Sequence, residues 1–474
     1  MKYQAVIGLE IHVQMKTRSK MFSSSPVSFG ATPNTKTSIN DMAFPGALPL
    51  VNKQAVINAI RVCHALHMEI DNELWFDRKN YFYSDLPKGY QITQNDRPIG
   101  KNGYVSIDTP QGEKIIKTMR LHLEEDACKQ THYSDYSLID YNRAGIPLLE
   151  IVSYPEISNG EEAMKYVEKI RSIVTFLDVS NGKMEEGSLL VDVNVSIKEE
   201  GKEVSGNKVE IKNINTLSNI QKAIDYEIAR QIEIVESSQK VIQETMRFDE
   251  KSGKTIPMRL KMDSIDYKFF TETNLLPIKL SDEFIANAIR TSPELAEVKK
   301  KRYMSLGLND YDSSQLVAHK EVSIYFDEVI AHGANPKLAA NWINVEVQRI
   351  LNKGKISIEE FSLSPDRLAS LIKLIEEGKI SHKQAKEVFL KAIDSDISIN
   401  QIIVDMGIVL MNDEEEIKSL VKQVIDENPQ VVIDYKNGKD RAVMFVIGRM
   451  MKLTGGKVNP ELTNRLVLEE LQRR

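Results

Sequence analysis

Glu10 and His12 lie two residues apart in a short apolar stretch, residues 5–14, near the start of the chain. The stretch alternates with a period of two and lacks a helix cap, which predicts a β-strand with both side chains on one face. A carboxylate and an imidazole then lie side by side, as they could in a functional site. A half-exposed strand with a salt-bridged glutamate is the alternative interpretation, and for one such pair taken alone it is favoured.

Further acidic residues occur in, or at the ends of, other apolar, strand-like stretches. Glu150 lies inside one of them, where an unpaired charge would be costly, so it needs Arg143, a metal ion or a raised pKa. Asp192 belongs to a polar row that faces either solvent or a ligand cleft. Because like charges on one sheet repel each other, their recurrence favours a bound cation. The acids are Glu124, Glu125, Asp126, Glu150, Glu185, Glu186 and Asp192.

Residues 75–91 mix aromatic rings with cations, including Arg78, Lys79 and Lys88. Such a mixture can stack a base and hold a phosphate. It is equally typical of a β-strand with one core side and one solvated side. The composition does not decide between these two alternatives.

The elements that would position these side chains change in type along the chain. Strand-like stretches dominate the first part, and residues 21–50 have the Ser, Thr, Asn, Pro and Gly content of an ordered loop. Later, Ser292-Pro293, Asn335-Pro336 and Ser364-Pro365 are each predicted to begin a helix. The sequence thus predicts an α+β chain with a strand-rich domain at 1–292, a helical domain at 293–406 and a small helical tail at 407–474.

Composition and charge exclude several classes of protein. With 62 Lys and Arg against 68 Asp and Glu in 474 residues, the net charge of -6 excludes an overall basic nucleic-acid binder. Residues 428–474 differ, with nine basic and five acidic side chains. Such basic helices are usually solvated faces, but they can also hold a nucleic-acid backbone. Cys63 and Cys128 stand in dissimilar settings, and no apolar run reaches membrane-spanning length. We expect a cytoplasmic protein without disulfides or membrane contact.

Six motifs follow one another across the first two hundred residues. They are GLEIHVQ (8–14), FDRKNYFY (76–83), LEEDA (123–127), DYNRAG (140–145), MEEGSL (184–189) and DVNVS (192–196). Together they resemble the B subunit of the bacterial aspartyl/glutamyl-tRNA(Asn/Gln) amidotransferase. Stretches at 380–389 and 456–460 look like the helical and tail domains of the same family.

The resemblance implies a ligase that uses ATP and Mg²⁺. Such a protein phosphorylates the side-chain carboxylate of Glu or Asp misacylated on tRNA(Gln) or tRNA(Asn), and ammonia then displaces the phosphate. The ammonia comes from an amidase partner, since this sequence shows no amidase nucleophile, and the heterotrimer is completed by a small third subunit. The resemblance also implies a β-rich, glutamine-synthetase-like cradle at 1–292 and tRNA binding by the helical tail at 407–474.

With this resemblance the acidic set becomes a predicted catalytic metal site. Because Mg²⁺ prefers oxygen ligands, the histidine of the set could instead orient a carboxylate or a water. The expected ligands and catalytic residues are Glu10, His12, Glu125 and Glu150, with Glu124 and Asp192 as further candidate ligands. The expected contacts of the phosphate or of the tRNA end are Arg78, Lys79 and Lys88.

One loop departs from the family pattern. Many members carry four zinc-binding cysteines after the first strand, and the matching positions here are Ser23, Ser25, Ser38 and Asp41. Tetrahedral zinc prefers thiolate or imidazole ligands. We therefore expect this loop to be free of zinc and held by hydrogen bonds.

Two other functions stay open as alternatives. The first is a non-catalytic tRNA-binding scaffold of the same fold, and the second is a free-standing amino-acid:ammonia ligase. The retained charges of Glu10, His12, Glu125 and Glu150 argue against the scaffold. The long helical region and its basic tail would have no evident use in a free-standing ligase.

Overall fold

The computed structural model describes residues 3–199, 201, 207–260, 267–408, 413–439, 441–454, 458 and 460–474. The chain divides into two compact units, Met1–Leu295 and Ala296–Arg474. The first unit contains the strands and the second is helical, so the predicted α+β class is confirmed. Among the described residues, no helix is both long enough and apolar enough to span a membrane.

The strands of the first unit build one large sheet and several small ones. The strands are β1 (Tyr3–Gln14), β2 (Glu69–Ile70), β3 (Glu73–Leu74), β4 (Asp77–Asn80), β5 (Tyr90–Thr93), β6 (Gly100–Thr109), β7 (Gly112–Glu125), β8 (Lys129–His132), β9 (Ser137–Asp140), β10 (Pro147–Ser153), β11 (Leu189–Glu199), β12 (Val209–Ile214), β13 (Glu244–Asp249), β14 (Lys254–Leu260), β15 (Phe270–Thr271) and β16 (Ile278–Lys279). Within the described residues the large sheet has nine strands, in the order β14-β13-β12-β11-β1-β10-β7-β6-β2. Its neighbouring strands are antiparallel except β12 and β13.

Helices cover one face of this sheet. They are α1 (Lys53–Ala65), α2 (Gly160–Phe176) and α3 (Leu217–Glu236), and α4 (Asp282–Arg290) packs against α1. Leu9, Ile11 and Val13 of β1 are buried in the core that these helices share with the sheet. Glu10 and His12 alternate with them and lie on the opposite, partly exposed face. The predicted strand, with its acid and imidazole on one side, is confirmed.

The second unit is all helical in its described part and has two hydrophobic cores, among residues 303–402 and among residues 417–471. The predicted domain boundary at 406/407 falls between them. The elements are α5 (Ala296–Ser305), α6 (Asp310–Leu316), α7 (Lys320–Ala331), α8 (Pro336–Asn341), a π-helical segment (Trp342–Val347), α9 (Gln348–Gly354), a 3-10 turn (Ile358–Glu360), α10 (Pro365–Glu376), α11 (His382–Ile393), α12 (Ile399–Asp405), α13 (Glu414–Asp426), α14 (Gln430–Lys436), α15 (Arg441–Leu453) and α16 (Pro460–Arg473).

Two of the three predicted helix starts are confirmed. The Asn335 side chain caps the N-terminus of α8, and α10 begins directly after Ser364. The start predicted at Ser292 is wrong. The Ser292 N–H instead donates to the carbonyl of Ile289 at the end of α4, and α5 begins only at Ala296. A serine followed by proline can thus close one helix rather than open the next.

Candidate cation site on the polar face of the sheet

A His–Glu–His row crosses three adjacent strands of the large sheet. β10 pairs with β1 so that Glu150 lies opposite His12, and it pairs with β7 so that Glu150 lies opposite His122. Glu124 is two residues beyond His122 and points to the same face, because strand side chains alternate. Strand pairing therefore brings two acids and two imidazoles together from three separate parts of the sequence.

The four side chains are within contact distance of one another. His12 Nε2 lies 3.6 Å from Glu150 Oε2 and 3.8 Å from Glu124 Oε1. His122 Nε2 lies 2.9 Å from Glu150 Oε2 and 3.4 Å from Glu124 Oε2. The His12 side chain is 25% exposed, whereas those of Glu124 and His122 are 4% and 5% exposed. Glu124 and His122 thus form the buried part of the cluster, and His12 forms its more exposed side.

The pKa values of the cluster reflect these pairings. Burial disfavours the imidazolium of His12, but Glu150 and Glu124 outweigh burial and raise its pKa to about 10. The same opposition raises the pKa of His122 to about 9. Burial also disfavours the carboxylate of Glu150, yet the two imidazoles hold its pKa well below its usual range. Without a metal ion, the imidazolium charges therefore balance the carboxylate of Glu150 at neutral pH.

Glu150 has the partner that its burial requires, although not the one that the sequence suggests. Arg143 donates from Nε to Asp126 Oδ2 at 2.6 Å, so its pairing with Glu150 is wrong. A raised pKa for Glu150 is wrong too, because the pKa is lowered. His12 and His122 are the partners that the structure shows, and a metal ion at Glu150 stays a prediction. One ligand atom each from His12, Glu124 and Glu150 lies within 4.8 Å of the others, which suits a shared cation.

Two other predicted ligands, Glu10 and Asp192, lie on the same sheet face but have partners of their own. Glu10 Oε1 accepts a hydrogen bond from Asn194 Nδ2 at 3.0 Å. Asp192 Oδ2 lies 3.2 Å from Lys212 Nζ, and that ammonium is also 3.2 Å from Glu210 Oε1. Lys212 thus provides the positive charge on this side of the face.

Glu125, a further predicted ligand, lies outside the cluster. Its Oε1 accepts from the Ile92 N–H at 3.0 Å and pairs with the ammonium of Lys88. Adjacent residues of a strand face opposite ways, so Glu124 and Glu125 reach different surroundings. The structure therefore brings Glu124, and not Glu125, to His12 and Glu150.

The two remaining predicted cations differ in how they are engaged. Arg78 forms two hydrogen bonds, of 2.6 and 3.0 Å, with the fully buried carboxylate of Glu272, and it stacks 4.1 Å from the Tyr90 ring. Lys79 Nζ lies 4.8 Å from the Tyr267 ring and has no acidic partner among the described residues. Lys79 is thus the better candidate for contacting a phosphate, and Arg78 stabilises the fold.

The loop positions that replace the family cysteines converge on one carboxylate. Ser23 Oγ donates to Asp41 Oδ1 at 2.6 Å, and the Ser38 N–H donates to Oδ2 at 2.8 Å, an atom that Ser25 Oγ also contacts. Lys20 Nζ lies 3.4 Å from Asp41 Oδ2, and its side chain has no exposed surface. Burial disfavours the charge on Asp41, but the serines and Lys20 lower its pKa below the ordinary value. The predicted hydrogen-bonded loop is confirmed, and its hydroxyl groups and ammonium do not suit Zn²⁺.

His122 is the member of the cluster that our sequence reasoning missed. The alternation of residues 119–124 contains the signal, because it places His122 on the same face as Glu124. That Glu150 lies opposite His122 across the sheet follows only from the strand register. A search for histidines two residues away from a candidate acid in a predicted strand would have included His122.

Comparison with known proteins places the chain in a family. Residues 5–286 match the family described as the GatB/GatE catalytic domain, and residues 324–471 match the GatB domain. The B subunit of the aspartyl/glutamyl-tRNA(Asn/Gln) amidotransferase of Halalkalibacterium halodurans is 47% identical over 476 residues, a match that covers both chains completely. The chain belongs to this B-subunit family. Members from Staphylococcus aureus and Lysinibacillus sphaericus are 47% and 45% identical, again over the whole of both chains.

The family match and the site geometry concern the same part of this amidotransferase chain. The His12, His122, Glu124 and Glu150 cluster falls inside the segment that matches the catalytic domain, residues 5–286. The matching GatB domain, residues 324–471, lies in the helical unit. The chemistry is therefore expected on the polar face of the large sheet.

Proposed function

We propose that this chain uses ATP to activate the side-chain carboxylate of Glu or Asp on a misacylated tRNA and then converts it to the amide. As a member of the B-subunit family, the chain is one component of a tRNA-dependent amidotransferase, a ligase that forms a carbon–nitrogen bond. The observation that supports the proposed chemistry is the pair of buried acids, Glu124 and Glu150, beside His12. Neither acid forms an ion pair with a lysine or arginine in the described part of the chain.

The donor set of this cluster fits Mg²⁺. That ion takes oxygen ligands, often from one or two carboxylates, and keeps several waters. Glu124 and Glu150 supply largely buried carboxylate oxygens, and their mutual repulsion favours a cation between them. His12 is an unusual ligand for Mg²⁺, and its 25% exposure leaves it free to orient a carboxylate or a water instead.

The residues of the site have two proposed roles, which are to bind the cation and to contact the phosphate. Mg²⁺, when bound, would neutralise the phosphate charge of ATP so that a carboxylate can approach it. A carboxylate oxygen of the aminoacyl group attacks the γ-phosphorus and ADP leaves; ammonia then attacks the carbonyl carbon and phosphate leaves. Glu124 and Glu150 hold the cation, and Lys79 contacts the phosphate from beside the Tyr267 ring.

The chain needs partners for this reaction. We propose that an amidase subunit supplies the ammonia and that the heterotrimer is completed by a small third subunit. We further propose that the helical tail, residues 407–474, binds the tRNA backbone through its basic segment, which has nine Lys and Arg against five Asp and Glu in residues 428–474. Both Glu-tRNA(Gln) and Asp-tRNA(Asn) are candidate substrates.

The test is amidation of Glu-tRNA(Gln) by the heterotrimeric complex, with ammonium as the nitrogen donor, ATP and Mg²⁺. Glu124→Gln and Glu150→Gln each remove one charge, and we expect each to lower kcat by roughly 100-fold or more while tRNA binding persists. Glu233→Gln, at an exposed site on α3, is the matched control and should turn over normally. Native turnover in both cluster variants would favour the non-catalytic scaffold.

A further inference from the structure

His122 is the one member of the cluster to which the proposed chemistry gives no task. Its side chain is 5% exposed, and its Nε2 lies between the two acids, 2.9 Å from Glu150 Oε2 and 3.4 Å from Glu124 Oε2. The other ring nitrogen, Nδ1, is buried and has no hydrogen-bond partner among the described residues. Within the described part of the chain, the polar contacts of this ring are therefore made through Nε2, and they go to the two acids.

The partners determine what that nitrogen does. An ionised carboxylate only accepts hydrogen bonds, so Nε2 must carry a proton to bind either acid. A protonated ring nitrogen has no lone pair left for a metal ion. With Nε2 directed at both acids and Nδ1 buried without a partner among the described residues, His122 is placed to donate to the acids rather than to ligate a cation.

We propose that His122 is a positioning residue that orients Glu124 and Glu150 for the cation. Its Nε2 faces Oε2 of each acid. Glu124 is left with Oε1 on the side of His12, 3.8 Å from Nε2 of that ring, whereas Glu150 Oε2 lies between the two rings, 3.6 Å from His12 Nε2. The inference rests on the cation site of the proposed function. Hydrogen bonds from outside the ligand shell fix the direction of a ligand, and their loss typically weakens metal binding by roughly 10–100-fold.

The experiment measures Mn²⁺ binding to the purified complex from the electron paramagnetic resonance signal of free Mn²⁺, so it does not depend on turnover. His122→Gln keeps an N–H donor and should bind Mn²⁺ within about threefold of native. His122→Leu removes the donor and should bind about 10–100-fold more weakly. Calorimetric melting of the metal-free variants shows that they are folded. If His122→Leu does not fold, His122→Phe, which keeps a ring without a donor, replaces it with the same expectation.

Three results would overturn the inference, and they can be told apart. Native Mn²⁺ affinity in the donor-free variant would show that His122 positions nothing. Loss of a directly coordinated ¹⁴N coupling in His122→Gln, measured by electron spin echo envelope modulation, would make His122 a ligand. Native affinity in Glu150→Gln would show that the cation site itself is wrong, whatever His122 does. Glu233→Gln should match the native protein throughout.

Discussion

Two buried acids of the first unit, Asp41 and Glu150, have their charges balanced in different ways. Asp41 is bonded by serine hydroxyls and lies 3.4 Å from the ammonium of Lys20, whose side chain has no exposed surface. Glu150 is contacted by two imidazoles, and one of them, His12, is 25% exposed. One acid thus has a lysine buried beside it, and the other has two histidines beside it at a partly accessible site.

The difference shows what distinguishes a candidate metal site from a structural ion pair. Burial lowers the pKa of Lys20, but the nearby Asp41 opposes that shift, and both side chains are closed off from solvent, so Asp41 has no room for a further cation. An imidazolium at an accessible site can give up its proton when a metal ion binds, and the metal ion then supplies the positive charge. A buried acid is therefore a weak indicator on its own. A buried acid whose cationic partners are histidines is a stronger one.

The largest effect that we predict concerns the buried pair of Lys20 and Asp41. Lys20→Met leaves Asp41 charged and without its cation, which should lower the free energy of unfolding by about 3–5 kcal/mol. Urea unfolding of the chain measures it. The control is Lys16→Met, which breaks a pair with Asp178 in which the lysine side chain is 65% exposed, and it should cost less than about 1 kcal/mol.

A second substitution tests the reason for that loss. Adding Asp41→Asn to Lys20→Met removes the uncompensated charge, so the double variant should recover part of the lost stability. If Lys20→Met costs no more than Lys16→Met, the loop does not depend on its internal cation, and the contrast with Glu150 is lost.

The next effect is the pH dependence of the histidine-balanced cluster. The pKa values of His12 and His122, raised to about 10 and 9, mean that the folded chain holds these protons more tightly than the unfolded chain does. Their contribution is complete below the ordinary histidine pKa of about 6.5 and is lost as the pH rises through 9 and 10. The lowered pKa of Glu150 acts at the acid end, where its contribution is lost as the pH falls below 4.5.

Metal-free urea unfolding at pH 7 and pH 10 measures this effect. Between pH 7 and pH 10, the free energy of unfolding of the native chain should fall by about 1–3 kcal/mol more than that of His12→Gln. The variant lacks one of the two histidines whose pKa is raised. An equal loss in both proteins would mean that His12 is not held as an imidazolium by the acids.

The smallest effect that we predict tests whether Glu10 is a ligand of the cation site. Glu10 lies on the same face as Glu150, but its Oε1 is bonded to Asn194, so Glu10→Gln should weaken Mn²⁺ binding by only about threefold. Titration of the free-Mn²⁺ signal measures it beside Glu150→Gln. A loss as large as that of Glu150→Gln would return Glu10 to the ligand set.

Local sequence patterns were sufficient for the features that depend on neighbouring residues. The alternation in β1 predicted the face shared by Glu10 and His12, and Asn335 and Ser364 marked true helix starts. Ser292 failed because its N–H closes the preceding helix, α4, a contact that a start motif does not reveal.

The composition of the cluster was harder to predict, because it depends on strand register. Nothing local to His122 indicates that it will lie opposite Glu150, which belongs to another strand. Similarly, the adjacent Glu124 and Glu125 are equivalent in the sequence, and only the pairing of β7 with its neighbours places Glu124 in the cluster. Lys212, which balances Asp192, comes from yet another strand.

The most direct measurement is a calorimetric Mg²⁺ titration of the complex that carries the native chain, Glu150→Gln or Glu233→Gln. The cation site at His12, Glu124 and Glu150 predicts that Glu150→Gln raises the Kd for Mg²⁺ by at least about tenfold, whereas Glu233→Gln leaves it unchanged. An unchanged Kd in Glu150→Gln would contradict the site, and the four clustered side chains would then be a structural ion network.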